Sequence, residues 1–384
     1  MHIVEQKFKE FVESESIKSL DHFFIAYSGG VDSQVLLNLA AKYLRGKVTA
    51  LHVNHGISSN AKTWENFCKE TAESLGVAFK SAHFELANEK SNLEEVARIC
   101  RYGFFEENVK ENTALITGHH LDDQAETFML RLMRGSGVDG LASMPQSRSF
   151  KDGSLVRPLL EVSKEEIIEF AIQKKLKWVE DESNKSSDYD RNFIRNEVIP
   201  LLKTRWAQAN KSIARSAKHC EVAKTEMKQE DSKDFEAVSV VENKETKLSV
   251  EKLIKLSKEK QKRVIRFWLN EFGVLMPTSK NLEVIINELV MSKPDSQSCF
   301  ETSDYELRKA FGEIFFINKS SPFVLTYETP VEEPTKDMRM SYKGTNRSFK
   351  YVMKAEKVPY WRREEYKAVV ENGKVIAFGD ITAN

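Results

Sequence analysis

Ser28-Gly29-Gly30-Val31-Asp32-Ser33 is the first stretch whose residue types and spacing could do chemistry. It follows the apolar run Phe23–Tyr27 and precedes Val35–Leu39, where apolar residues recur at helical spacing. Glycines let backbone N–H groups approach an anion closely, and a helix starting near Ser33 aims its positive end at the same point. Ser28 and Ser33 add hydroxyl donors, so the stretch reads as a phosphate cradle. A carboxylate there would repel phosphate unless Mg²⁺ bridged the two, which makes Asp32 a metal ligand as well. No Gly-Lys-Ser/Thr closes the loop, so it is not of the Walker type.

Thr117 to Thr127 is the second such stretch, with His119, His120, Asp122, Asp123 and Glu126 in eight residues after an apolar run. Helical spacing puts His119, Asp123 and Glu126 at i, i+4 and i+7, and Asp122 four residues before Glu126. Acidic residues at a helix start are also ordinary dipole partners, but that role accounts for one of them, not five titratable groups. Hard oxygen ligands beside a phosphate suit Mg²⁺, with Asp32 and Asp123 as its expected ligands, and an imidazole suits proton transfer. His52, Asn54 and His55 end another apolar run and are expected to make polar contacts to a nucleotide or substrate rather than to share a metal. Arg131 and Arg134 close the same predicted helix before Gly135, where they could complement the dipole or hold phosphate.

Elements must position these groups. Short apolar runs at 23–27, 48–53, 77–84 and 114–117 read as strands, with helical periodicity at 33–44, 62–75, 93–109 and 122–133 between them. Such alternation implies an α/β fold with a doubly wound parallel sheet, continuing through a helix at 164–174 and a strand-like 178–180 to a first domain at 1–202. Residues 203–325 read as a small, mostly helical substrate-binding domain that opens with a long exposed helix. Its texture changes to short alternating stretches after Glu301. Thr329–Pro334 resembles a linker, and 335–384 reads as a small basic α/β module.

Lys and Arg total 58 against 58 Asp and Glu, so the chain as a whole is not a basic nucleic-acid binder. Between Lys336 and Lys374, however, 11 basic residues face 5 acidic ones, interleaved with Tyr342, Phe349, Tyr351, Tyr360, Trp361 and Tyr366. That combination suits phosphate tracking and base stacking on RNA, with Arg362 and Arg363 at its centre. Lys203, Arg205, Lys211, Arg215 and Lys218 could line a second RNA-facing helix. No run approaches the roughly 18 apolar residues of a membrane span, and Met1–Glu15 lacks a signal-like apolar region, so a cytoplasmic location is expected. Cys68, Cys100, Cys220 and Cys299 form no Cys-x-x-Cys pair.

The Ser28–Ser33 loop resembles that of the N-type ATP pyrophosphatases, the PP-loop family. His52-Val53-Asn54-His55-Gly56, Arg98 with Cys100-Arg101-Tyr102, Gly118 to Thr127 and Arg134 to Leu141 add a resemblance to the tRNA(Ile)-lysidine synthetase family. Arg157-Pro158-Leu159-Leu160, Glu180 to Asn184 and Arg191 through Arg195 to Pro200 extend it to about residue 200, and Val358 to Arg363 with Asn372-Gly373-Lys374 resemble that family's terminal domain. The resemblance implies an adenine nucleotide alpha hydrolase-like domain using ATP and Mg²⁺. It implies adenylation of the wobble cytidine of a tRNA(Ile) with a CAU anticodon, then attack by the ε-amine of L-lysine. It assigns Ser28 to Ser33, His52, Asn54 and His55 to ATP. Asp32, His119, Asp122, Asp123, Glu126 and Arg98 become catalytic, and Arg131, Arg134, Arg191, Arg195, Arg205, Arg362 and Arg363 face tRNA. Oligomeric state stays open, a homodimer included. A thiolating relative would share the loop but generally needs paired cysteines, and an inactive RNA-binding relative would not need the intact carboxylates.

Overall fold

Alternate side chains of the first strand go to opposite cores. In the computed structural model, which describes residues 1–383 except 57–59, 85–92, 181–189, 243–244, 294–295, 297, 322 and 328, β1 (His22–Ala26) buries Phe23 and Ile25 in one cluster and Phe24 in another. Its neighbours are β2 (Val48–Asn54), β3 (Ala78–His83), β4 (Thr113–Ile116), β5 (Ser147–Phe150) and β6 (Gly153–Val156). Their order is β3-β2-β1-β4-β6-β5, parallel throughout except that β5 runs antiparallel to β6.

A parallel sheet needs both faces covered. One face meets the helices Ile3–Glu13, Val31–Tyr43, Ala61–Ser74 and Lys164–Gln173 through Phe8, Leu36, Ala72 and Phe170. The other meets the helix Leu93–Asn108 through Phe105, with Val109 just beyond it. Each fully buried large apolar side chain contributes roughly 1.5–3 kcal/mol. β2 lies on one side of β1 and β4 on the other, so the chain direction diverges between the carboxyl ends of β1 and β4. Crevices of open α/β sheets form at such a switch point, and both chemical stretches follow these two strands.

The edge strand β5 has no counterpart in the sequence reading, because Ser-Arg-Ser-Phe buries one residue in four. The strand-like 178–180 is irregular chain, although the Val179 N–H donates to the Gly29 carbonyl at 3.0 Å. Asp181 to Asn184 lie outside the described residues.

Residues Glu226–Asn384 form a second compact unit, after the Met1–Thr225 unit. The expected long helix runs from Ala209 to Val238 across that division. Where the sequence reads mostly as helix, the second unit also holds a sheet, β7 (Ser239–Glu242), β8 (Glu245–Ser249), β9 (Cys299–Glu301), β10 (Tyr305–Ala310) and β11 (Glu313–Asn318), ordered β7-β8-β11-β10-β9. It shares a core with the helices Lys258–Glu271 and Ser279–Ile285 through Leu248, Trp268, Ile285 and Leu307. β10 hides its alternation because one inward position is Lys309, whose ammonium donates to the Ser292 carbonyl at 2.8 Å and hydroxyl at 3.0 Å.

A last sheet contains β12 (Val331–Glu332), β13 (Arg339–Tyr342), β14 (Thr345–Ser348), β15 (Ala368–Glu371), β16 (Lys374–Phe378) and β17 (Ile381–Thr382). β12 pairs with β15, so the linker-like segment joins the sheet. Tyr342 and Tyr366 are core, whereas Tyr351 and Tyr360 are exposed, which narrows the aromatic set available to bases. Among the described residues, no helix is long and apolar enough to cross a membrane.

Candidate active site

Ser33 shapes the loop after β1. Its hydroxyl accepts from the N–H groups of Ser28 at 3.3 Å and Gly29 at 3.1 Å and donates to the Gly30 carbonyl at 3.0 Å. The helix begins at Val31, so the first-turn N–H groups of Val31, Asp32 and Ser33 have no intrahelical acceptor and form the anion-binding end. Gly29 holds φ at +85°, and a Cβ there would stand 2.7 Å from the sulfur of Cys68 beneath the loop. Gly29→Ala is therefore expected to cost about 1–3 kcal/mol and to weaken ATP binding, read by chemical denaturation and nucleotide titration. An unchanged denaturation midpoint would show that the loop tolerates a side chain.

Gly118, after β4, lies against the same helix start, where a Cβ would be 3.2 Å from the Asp32 carbonyl carbon. The two stretches thus meet. The second helix starts at Leu121 rather than at His119, so His119 and His120 precede it and the expected i, i+4, i+7 series holds only from Asp122 onward. Asp123 caps this helix by accepting from the His120 N–H at 3.0 Å. His120 Nε2 lies 3.6 Å from Asp32 and 3.4 Å from Asp123, so both expected metal ligands converge on one imidazole.

Glu126 is 1% exposed and sits between Arg191 and Arg195, whose Nε atoms donate to it at 2.9 and 2.6 Å. Arg191 also donates to Asp123 at 2.9 Å. Burial opposes the charge on Asp123, yet His120, Arg191 and His119 outweigh it and hold the carboxyl at about 2. Asp122 lies 3.9 Å from Nδ1 of the His120 imidazole and accepts from the Lys164 N–H at 2.8 Å and from the side-chain amide of Asn210.

Sequence reasoning singled out neither Lys164 nor Asn210. Lys164 Nζ spans both Asp32 oxygens at 2.7 and 2.8 Å, across 132 residues of sequence. The available signal was local: Ser163 and Glu166 form a capping box that fixes Lys164 as the first helical residue, straight after Arg157-Pro158-Leu159-Leu160.

Burial lowers the pKa of His119 to about 4, and its Nδ1 is 2.7 Å from the Thr117 hydroxyl. His55 is lowered to about 4 by burial and by Arg101, and neither of its buried ring nitrogens has a hydrogen-bond partner. His52 is lowered by burial, and its Nδ1 is 2.9 Å from the Tyr27 carbonyl that leads into the loop. Asn54 is engaged with Glu65 at 3.0 Å. As pH falls from 6.5 toward 4, an unfolded chain protonates His55 and His119 while the folded chain keeps them neutral. Stability should drop in that window by up to roughly 1.4 kcal/mol per pH unit per histidine, with Asp123 adding to the loss only below its ordinary value. Urea midpoints at about pH 7 and about pH 5 would check this, and equal midpoints would contradict it.

The remaining arginines divide. Arg131 is spent on the carbonyls of Gly140 at 2.7 Å and Ser143 at 2.9 Å, which folds the turn after its helix. Arg134 and Arg205 are exposed, and Arg134 lies 3.8 Å from Asp190. Arg98 lies over the Tyr102 ring at 4.7 Å. In the second unit, Arg362 pairs with both oxygens of Glu245 at 2.8 and 2.7 Å, and Arg363 donates to the Val358 carbonyl at 3.0 Å.

A helix-start anion site and acidic cluster at the switch point of a parallel sheet define an ATP-binding PP-loop domain, and residues 1–202 match the PP-loop domain family. Residues 248–315 match the TilS substrate binding domain. The tRNA(Ile)-lysidine synthase of Coxiella burnetii is 35% identical over 320 residues, covering 82% of this chain and 70% of that protein. Those of Legionella pneumophila strain Lens and Actinobacillus pleuropneumoniae serotype 3 are each 38% identical, covering 76% and 75% of this chain and 68% of each protein. The chain belongs to the tRNA(Ile)-lysidine synthase family, ATP-dependent ligases built on a PP-loop domain.

Proposed function

We propose that this chain adenylates the wobble cytidine of a tRNA(Ile) with a CAU anticodon and joins it to L-lysine, in the cytoplasm. The convergence of Asp32 and Asp123 on His120, beside the open N–H groups of Val31 to Ser33, supports this reading most directly. ATP phosphates accept from those N–H groups, and the cytidine carbonyl oxygen attacks the α-phosphorus with pyrophosphate leaving. Lysine's ε-amine then displaces AMP from the ring carbon. Ser33 holds the loop for the first step.

Mg²⁺ fits this donor set. Among the described residues no three His, Cys, Asp or Glu side chains form a metal cage, but Mg²⁺ commonly uses one or two carboxylates and completes its shell with phosphate oxygens and water. Asp32 and Asp123 would hold it. It would neutralise triphosphate charge and ease pyrophosphate departure. Glu126 orients Arg191 and Arg195 toward developing negative charge. Asp122 fixes the start of the Lys164 helix against the acidic cluster, and His119, neutral at physiological pH and held through Nδ1 by Thr117, offers its Nε2 for a hydrogen bond to substrate.

For tRNA, the exposed Arg134 and Arg205 are the freest phosphate contacts, whereas Arg131 is occupied by backbone carbonyls and, within the second unit, Arg362 and Arg363 are occupied by Glu245 and the Val358 carbonyl. Sulfur transfer suits the site less well, because the thiol beside the loop, Cys68, is buried and pushed up to about 12 by that burial. Pyrophosphate release that depends on this tRNA is the test. Release with a control tRNA bearing a different anticodon, or none with either, would contradict the reading.

A further inference from the structure

Lys164 holds both oxygens of Asp32, yet Asp32 is the expected ligand of a divalent cation. The two roles compete. A divalent cation on Asp32 would stand beside the ammonium on one carboxylate, and two positive charges there repel. The rest of Lys164 stays anchored: its N–H is on Asp122, and Ser163 with Glu166 fixes its helical turn. Only the flexible stem and ammonium can move. The side chain is about one-third exposed (35%), so a path for that movement is open.

We propose that Lys164 is the resident counter-cation of Asp32, displaced when a divalent metal arrives with ATP, and that its ammonium then contacts the nucleotide phosphates. This deepens the proposed function and rests on it for the identity of the nucleotide. The direction of the move follows from charge and reach. Asp32 is the second residue of the helix whose N-terminus forms the anion site, so an ammonium leaving its carboxylate is already beside the phosphates. Lys164 therefore has two effects of opposite sign: it weakens metal binding without nucleotide and strengthens nucleotide binding with metal. A purely structural lysine would weaken both or neither.

The test compares wild type with Lys164→Gln and Lys164→Arg. Mn²⁺ binding to the nucleotide-free protein is followed by electron paramagnetic resonance, and KM for ATP by tRNA-dependent pyrophosphate release. Lys164→Gln is expected to bind Mn²⁺ several-fold tighter alone while raising KM for ATP about tenfold, the scale of one charge-assisted phosphate contact. Lys164→Arg should restore much of the KM. Unchanged Mn²⁺ affinity in a folded Lys164→Gln protein overturns the counter-cation role, and an unchanged KM overturns the phosphate contact. Failure of the underlying functional reading is separately visible, as wild-type protein that binds Mn²⁺ but releases no pyrophosphate with tRNA.

Discussion

Asp32→Asn is expected to lower tRNA-dependent pyrophosphate release by on the order of 10²–10³-fold, the loss typical of one group that stabilises transition-state charge. The substitution keeps the side chain's shape and removes its charge. Lys164 loses its partner, and the metal loses a ligand beside the phosphates. Folding should survive, because the pair is partly solvated, with 29% of the Asp32 side chain exposed, and such pairs contribute about 0–1 kcal/mol. Affinity for tRNA should stay within a few-fold of wild type. Filter binding and a pyrophosphate assay on one preparation separate these effects. Normal tRNA-dependent pyrophosphate release, or a loss of release that is matched by loss of tRNA binding, would overturn the assignment.

Glu126→Gln should act through stability as well as activity. The carboxylate is nearly inaccessible, and it receives Nε of Arg191 together with Nε and Nη2 of Arg195 at 2.6 to 2.9 Å. An amide offers one acceptor oxygen where the carboxylate offered two, and turns an NH₂ group toward a guanidinium. Two arginines would then share Asp123. Breaking a buried pair from one side costs about 3 kcal/mol at the low end, which applies here because the arginines are only partly buried. A unit of this size should lose roughly 6–12 °C in melting temperature. An unchanged melting curve would mean that the cluster does not hold the segment from Asp190 to Arg205 against the Leu121–Met133 helix.

The parts of the site legible in the sequence are the local ones. Ser28 to Ser33 and Gly118 to Glu126 each carry their strand, turn and helix start within about a dozen residues, so period and turn chemistry suffice. That they face one another follows from strand order, since β1 and β4 are neighbours. Lys164 and Asn210 were hidden because their partners lie 132 and 88 residues away, and nothing in a lysine at a helix start or an asparagine on a charged helix announces a carboxylate elsewhere. Arg131 and Arg362 show the reverse problem. Their type suggests phosphate, but carbonyls and Glu245 occupy them. The sheet in the second unit was obscured by Lys309 at an inward position, where a serine carbonyl and hydroxyl compensate a charge that period counting treats as solvent-facing.

The most direct measurement is nucleoside analysis by mass spectrometry of unmodified tRNA(Ile) with a CAU anticodon, after incubation with the protein, ATP, Mg²⁺ and isotopically labelled lysine. The expected result is one cytidine per tRNA, at the wobble position, carrying the mass of an added lysine with the label retained. Pyrophosphate release without label in the tRNA would leave the adenylation chemistry standing and contradict lysine as the nucleophile, and an unmodified cytidine with no pyrophosphate would contradict the account as a whole.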